Sequence, residues 1–479
     1  MFKISIKSIG LFLGPVLFYL VLQLQRIDYL PQEGWKVLAV AAWMLCWWIS
    51  EATAMAVAAL LPIVLFPALG VMNLSSATAP YASPIIFLFM GGFFLALGLE
   101  QHNLHKRIAL NLIRLTGTSS NGIILGFMIS TAFLSMWISN TATAVMMLPI
   151  ATSVISLIEH SASNKRAFGL FSASLMLSIA YSANIGGMGT IIGTPPNVVF
   201  VGYAKELMGI DIDFSSWLLI GIPLVIILLL VTYLILTKVL FRSNLGKIEN
   251  ADQVINNEIA QLGPMSREEK FVAVVFALTA MMWIFKRPIN LILGEEILND
   301  TATAMIGGIL TFAVPLNIKK GEFLVPWEAT KRLPWGILLL FGGGMSLAKA
   351  MESTGLIQII ADTVSSSQLS IYLVFLILIA AMAVLTEIMS NVALATIFIP
   401  VVIGIGQGTG INPLLLSIPV ALAASCAFMM PISTPPNAIV FSSGHIRFSN
   451  MLKAGIVIDA IAVLILWLSA FSLIHYVFG

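Results

Sequence analysis

The apolar runs of this chain are broken at four places by polar signatures that match in pairs. Ser139-Asn140-Thr141-Ala142-Thr143 is followed some fifty residues later by Gly193-Thr194-Pro195-Pro196-Asn197. Ser390-Asn391-Val392-Ala393 is followed by Ser433-Thr434-Pro435-Pro436-Asn437. In hydrocarbon a polar break in the backbone survives only where it is buried in protein or lines a cavity. Two such pairs point to one substrate site between two repeats, and so to a transporter.

Composition sets the solvent. Of 479 residues, 59% are hydrophobic and 10% charged, against about 25% charged in soluble domains. The net charge of +2 and the scatter of Lys and Arg over short segments exclude a nucleic-acid partner. Cys46 and Cys426 lie in separate apolar segments and read as small core residues, and the five His show no metal-ligand spacing. Lys3 and Lys7 precede an apolar run from Leu11 with no small-residue cleavage site before Arg26, so this run reads as a first membrane helix.

A bilayer core takes roughly 20 apolar residues as helix. The pattern predicts an all-α polytopic membrane protein with about eleven transmembrane helices, near 9–25, 35–50, 52–70, 83–104, 167–205, 214–241, 268–285, 290–316, 333–351, 411–444 and 453–477. Two further stretches, 121–160 and 369–408, carry a Ser-Asn dipeptide at mid-length. The first tip, Met136-Trp137-Ile138-Ser139-Asn140, carries no charge to anchor it in water, which favours re-entrant helical hairpins over pairs of full spans. With the N-terminus cytoplasmic, only Arg26, Lys36, Lys205, Lys286, Arg287 and Lys349 of the 24 Lys and Arg fall outside, as the positive-inside rule requires.

Internal repetition is visible by eye. Thr53-Ala54-Met55 returns as Thr303-Ala304-Met305, and Phe89-Met90-Gly91-Gly92 as Phe341-Gly342-Gly343-Gly344. Ser139-Asn140 returns as Ser390-Asn391, and Thr194-Pro195-Pro196-Asn197 as Thr434-Pro435-Pro436-Asn437. Each copy holds an odd number of crossings, so the two repeats have inverted topology. The expected organisation is an N-terminal helix (1–33), repeat 1 (34–242), a cytoplasmic linker (243–266) and repeat 2 (267–479). Repeat 1 contains the hairpin 121–160 and the broken helix 167–205; repeat 2 contains the hairpin 369–408 and the broken helix 411–444.

Ser and Asn favour the N-cap, and Pro suits the first helical turn because it has no N–H to leave unpaired. Each break therefore reads as the start of a half-helix, whose partial positive end attracts an anion. There is no Lys or Arg between residues 121 and 164, and the sole charged residue between 371 and 444 is Glu387. An anion bound here must be balanced by helix ends, hydroxyl and amide groups, and co-bound cations. Structural support is the favoured role for Glu387, ahead of cation coordination or titration. The glycine runs read as packing or bending points.

These motifs, with the segment Ser425–Val440 (SCAFMMPISTPPNAIV), resemble those of the divalent-anion:sodium symporter family, whose members move dicarboxylates, citrate or sulfate. The likeness runs from about Gly34 to the C-terminus. It implies a homodimer with a static scaffold (1–116 and 267–352) and a mobile transport unit (117–242 and 353–479) working as an elevator. It implies a first sodium site at Ser135, Ser139, Asn140 and the Gly193 backbone, and a second at Thr386, the Met389 backbone, Asn391 and the Ser433 backbone. Substrate carboxylates would meet Asn140, Thr141, Ser390 and Asn391 and, near the loops, Thr194, Pro195, Thr434 and Pro435. Val392 stands where a symmetric motif would have Thr, which makes the site asymmetric and bears on substrate choice. The polar sodium-site side chains are all present, which separates this chain from sodium-independent exchangers.

The implied activity is sodium-coupled symport of small dianions, C4-dicarboxylates such as succinate, malate or fumarate ahead of citrate or sulfate. Sodium is the coupling ion and no organic cofactor is expected. A bacterial inner (plasma) membrane is the expected setting. An obligate exchanger is the alternative within transport. A membrane-embedded enzyme is disfavoured by the lack of His-Glu-x-x-His, Gly-x-Ser-x-Gly or an intramembrane carboxylate pair, and no Walker-type loop offers ATP drive.

Overall fold

The computed structural model describes all residues except 1–5, 25–29, 162–163, 244, 247–250 and 367–368, and leaves out the side chains of 160, 161, 251, 361 and 365. Lys3, Arg26 and part of the expected linker lie outside the described residues. The principal helices are α1 (Ile6–Gln23), α2 (Gln32–Ser50), α3 (Pro84–Gln101), α4 (Ser120–Ser135), α5 (Asn140–Ser161), α6 (Lys165–Gly187), α7 (Pro195–Met208) and α8 (Phe214–Leu234). They continue as α9 (Arg267–Ile284), α10 (Asp300–Ala313), α11 (Trp335–Ser353), α12 (Ile371–Leu385), α13 (Asn391–Gly408), α14 (Pro413–Ala423), α15 (Pro435–Ser442) and α16 (Phe448–Ala470). One small antiparallel pair, Pro315–Asn317 with Glu322–Phe323, is the strand content among the described residues.

Among those residues seven helices are long and apolar enough to cross a membrane, or eight if α9 and the helix Lys286–Leu293, bent by 76°, form one span. Two of the seven, Asn140–Glu159 and Asn391–Gly408, are the second arms of the Ser-Asn stretches, so five of the eleven expected spans are among them; several others take a different form. The span expected at 290–316 is replaced by α10 alone, because Gly294 turns into the left-handed region (φ 74°) and Glu295 and Glu296 follow it. The span expected at 52–70 is two short helices, Met55–Ala58 and Leu61–Ala68. The stretches 167–205 and 411–444 are each broken in two at the Pro-Pro motif, giving α6 with α7 and α14 with α15.

Both Ser-Asn stretches fold as helical hairpins. Their first arms, α4 with 16 residues and α12 with 15, extend about 24 and 22 Å at 1.5 Å per residue. Neither reaches across a hydrocarbon core of about 30 Å.

At the centre lies α6, whose residues from Phe171 to Gly187 are all buried. A helix enclosed on every side needs small residues where neighbours come close. At Gly186 a Cβ would sit 2.3 Å from the Ala132 carbonyl oxygen, so α4 lies directly against α6. Gly91 of α3 meets the Ala304 backbone of α10 in the same manner, at 2.6 Å. The two halves interlock: α7 packs on α13, and α15 packs on α5 and α6.

The described part of the linker is ordered. Its helix Ala251–Leu262 packs on Leu104–Leu115. Lys106 pairs with Glu258 at 2.8 Å, and Arg107 makes a two-pronged bridge to Glu269 at 2.9 and 3.0 Å.

Candidate functional site

The interlock packs each hairpin's second arm against a Pro-Pro helix of the other half. α5, which begins at Asn140, packs on α15, which begins at Pro435, and α13, which begins at Asn391, packs on α7, which begins at Pro195; the start of α5 meets the start of α7 across Gly187. The partial positive charge of each N-terminus falls off within a turn, so these four starts matter only because they share neighbours.

In the first half, Ser135 is fully buried and its hydroxyl lies 2.6 Å from Asn140 Oδ1 and 2.8 Å from the Ala183 carbonyl oxygen. A Cβ placed on Gly187 would come within 2.8 Å of Asn140 Oδ1 and 3.2 Å of the Gly193 carbonyl oxygen. Ser135, Asn140 and Gly193 therefore converge around the bare Cα of Gly187. Oxygens gathered in this way suit a hard monovalent cation. Ser139 caps α5, its hydroxyl accepting from the Ala142 amide at 3.1 Å. Ser139 and Thr141 are exposed and Asn140 is half-buried.

The second half repeats this frame. Thr386 is fully buried and donates to the Ala424 carbonyl at 2.9 Å, as Ser135 does to Ala183. Met389, Ser390, Asn391 and Val392 are half-buried, and Ser433 and Thr434 are buried. The Asn of each Pro-Pro-Asn clamps its loop: Asn197 Nδ2 donates to Gly187 and Thr190 carbonyls at 3.1 and 2.8 Å, and Asn437 Nδ2 to Ala427 and Met430 carbonyls at 2.9 and 3.0 Å. Asn197 Oδ1 and Asn437 Oδ1 are both buried without a partner.

The halves differ in what holds loop to hairpin tip. In the first, the Thr190 hydroxyl donates to the Met136 carbonyl at 2.5 Å. In the second, buried Glu387 accepts from the amides of Phe428, Met429 and Met430 at 2.7, 2.8 and 3.0 Å, and from the Ser433 hydroxyl. Charge-assisted bonds of this kind are about twice as strong as neutral ones. Glu387 thus shapes the loop that presents Ser433 and Thr434, the supporting role favoured from the sequence.

Capping is uneven. Thr434 caps α15 through the Asn437 amide at 3.3 Å, while Thr194 makes no cap bond on α7 and Ser390 none on α13. The helix starts at Thr194 and Ser390 therefore lack the side-chain caps that the matched motifs suggested. Pro195 is half-buried and Pro435 exposed.

Two residues of this region carried no sequence signal strong enough to single them out. Asn184, buried in α6, donates to the Thr434 hydroxyl at 3.2 Å and the Ala427 carbonyl at 3.3 Å. It ties the broken helix of the first half to the loop of the second. Thr190 is the other. An Asn inside the apolar run Ile179–Ile185 is a visible anomaly, but its partner is 250 positions away. A separate hollow of about 420 Å³, lined by Met90, Phe94, Met305, Phe312 and Trp327 among others, is apolar and offers nothing to an anion.

The family described as sodium:sulfate symporter transmembrane region matches residues 6–478. The chain is 38% identical over 480 residues to the sodium-dependent dicarboxylate transporter SdcS of Staphylococcus saprophyticus, covering 99% of this chain and 92% of that one. It is 40% identical over 481 residues to the SdcS of Staphylococcus aureus strain RF122 and 39% to that of strain USA300, with the same coverage. A multi-pass membrane protein with this match along its length belongs to the sodium:sulfate symporter family, whose members are transporters and not enzymes.

Proposed function

We propose that this chain is a secondary active transporter that couples sodium to the movement of small dianions, with C4-dicarboxylates such as succinate, malate or fumarate as its substrates. The observation that carries the reading is the gathering of Ser135, Asn140 and Gly193 oxygens in one half, with the same Ser/Thr-to-carbonyl frame at Thr386 in the other. No Lys or Arg lies between 121 and 164 or between 371 and 444. A dianion in such a place needs cations bound with it. The relatives' printed name, sodium-dependent dicarboxylate transporter, supports this substrate and ion.

The first sodium ion would rest on Ser135, Ser139, Asn140 and the Gly193 backbone, the second on Thr386, the Met389 backbone, Asn391 and the Ser433 backbone. The carboxylates would meet Asn140, Thr141, Ser390 and Asn391 on the hairpin side and Thr194, Pro195, Thr434 and Pro435 on the loop side. Asn184 and the Asn437 amide both donate to the Thr434 oxygen, so a carboxylate there would take the Thr434 hydroxyl proton. Inverted repeats at 34–242 and 267–479 are supported by the matched Asn197 and Asn437 clamps. Re-entrant hairpins are supported by the short arms α4 and α12. An elevator of transport unit against scaffold, a homodimer and a cytoplasmic N-terminus complete the proposal.

The family's description favours a second reading, sulfate as the dianion. Uptake of labelled succinate by cells expressing the chain, competed with malate, fumarate, citrate and sulfate, separates the two. Competition by malate and fumarate is expected; competition by sulfate alone would replace the dicarboxylate reading.

A further inference from the structure

α3 and α10 run side by side in the same direction. Thr301 donates to the Pro84 carbonyl at 3.1 Å, Gly91 meets the Ala304 backbone, and a Cβ on Gly98 would lie 3.4 Å from Thr311. Their C-terminal ends therefore reach the same face of the molecule. Beyond α10 the chain turns back under that end, fixed by the amides of Leu324 and Val325, which donate to the Val314 and Thr311 carbonyls at 2.9 Å each. The short helix Trp327–Arg332 follows and, with α3 and α10, walls the apolar hollow of about 420 Å³. Phe94, Phe312 and Trp327 stand together there, with ring centres 5.0 to 6.3 Å apart. Ile309 and Ala313 line the hollow and are themselves exposed, so it opens sideways to the outside of the helix pair.

The segment that closes the hollow is basic. Lys331 and Arg332 share the short helix of Trp327, and Lys319 and Lys320 lie on the turn before it. All four are exposed, and none has an ion-pair partner among the described residues. Arg332 donates to the Gln101 side chain at the end of α3. Exposed Glu322 and Glu328 lie on the same segment and Glu100 counters Arg332 in part, so the balance stays positive. Trp327 and Trp335, both exposed, stand beside these charges, as tryptophans do at the level of lipid headgroups. An apolar hollow open to the side, with indoles and unpaired basic groups at one end, matches the chemistry of a phospholipid with an anionic headgroup. A second copy of the chain matches it less well. In a two-fold contact the same patch meets itself, and basic groups would face basic groups.

We propose that this face binds one anionic phospholipid, an acyl chain in the hollow against α3 and α10 and the headgroup phosphate at Lys331 and Arg332, with Lys319 and Lys320 beside it. The site stands apart from the Ser-Asn and Pro-Pro-Asn motifs and does not depend on which dianion is carried.

The test is lipid binding to the purified full chain in detergent, read from the mass of intact protein–lipid complexes. The probes are dioleoyl phosphatidylglycerol, which is anionic, and dioleoyl phosphatidylcholine, which has the same chains and no net charge. The wild type should bind the phosphatidylglycerol about tenfold or more tightly than the phosphatidylcholine. Lys331→Ala with Arg332→Ala should bring the two lipids level. Ala313→Trp, which fills the hollow from an exposed position, should weaken both by about tenfold. Should loss of the Gln101 bond keep the first variant from folding, Lys331→Ala with Lys320→Ala carries the same comparison, and Ile309→Trp stands in for Ala313→Trp. Equal binding of the two lipids by the wild type would overturn the proposal, as would a preference that survives the basic substitutions. Wild-type lipid binding by Ala313→Trp would overturn it too, and a changed oligomer mass in that variant would then assign the hollow to a second copy. Because no transport is measured, failure here leaves the sodium-coupled reading standing, and failure of that reading leaves this one intact.

Discussion

Asn184 Nδ2 lies 3.2 Å from the Thr434 hydroxyl, a hydrogen bond that crosses from the buried helix α6 to the loop of the other half. It makes the two half-sites one mechanical unit. Asn184→Ala would remove one bond each from the Thr434 hydroxyl and the Ala427 carbonyl, which keep their bonds from Asn437, at about 0.5–1.5 kcal/mol per bond lost. Transport should fall at least about tenfold, since 1.4 kcal/mol is a factor of ten, with folded protein still in the membrane. Uptake and surface expression measured together check this.

Asn140 and Asn391 are where helix starts and the proposed ion sites coincide. Asn140→Ala removes the oxygen that lies 2.6 Å from Ser135, and Asn391→Ala removes an amide that no described hydrogen bond occupies. Each should abolish uptake while the purified protein stays monodisperse on gel filtration. Wild-type uptake in either variant would take that residue out of the site.

Val392 is half-buried next to Asn391 on the first turn of α13. Its position in the first half is held by Thr141, which is exposed. Val392→Thr adds a donor on the side that lacks one, so the ratio of succinate to citrate or sulfate uptake should change. An identical profile for both proteins would sink the idea that this asymmetry sets selectivity.

Glu387 holds three consecutive amides and a hydroxyl with one side chain. Glu387→Ala strands them all, and Glu387→Gln keeps an acceptor but loses the charge. The expected order of melting temperature is wild type, Gln, then Ala. Loss of sodium-dependent stabilisation should follow the same order, because the loop carries Ser433.

A cluster near the start of α8 joins parts assigned to different units: Asp213 bonds Arg287 at 2.9 Å, and Lys286 bonds Asp300 at 2.8 Å. Burial pushes the Asp213 carboxyl up, but hydrogen bonds from Ser216 and Arg287 and the charge of Lys286 outweigh it and hold the group at about 2. The folded value is below the unfolded value of about 3.9. This contribution is therefore complete above pH of about 4 and is lost as pH falls toward 2. Asp213→Asn should lower the melting temperature by a constant amount near neutrality and converge with wild type only in acid. A difference that grows from pH 6 to 8 would contradict this assignment.

The site was legible where polarity is out of place in an apolar run and recurs. Ser-Asn and Pro-Pro-Asn satisfied both conditions, and in the first half Asn140, Gly193 and Thr194 meet around Gly187. Asn184 and Thr190 are single polar residues whose partners lie on other elements, so no local pattern sets them apart from ordinary helix–helix bonds. Helix ends were less legible for a related reason. The expected span 290–316 looked continuous by hydropathy, yet Gly294 and the two Glu after it end the helix and Asn299 starts a new one by capping through the Ala302 amide.

The central claim is sodium coupling without obligatory exchange, and labelled succinate uptake into proteoliposomes tests it most directly. The three conditions are an inward sodium gradient, choline in place of sodium, and succinate loaded inside without sodium. The account predicts uptake that requires sodium and needs no internal dicarboxylate. Uptake indifferent to sodium but dependent on preloading would contradict it, and the oxygen cluster around Ser135 and Asn140 would need another occupant.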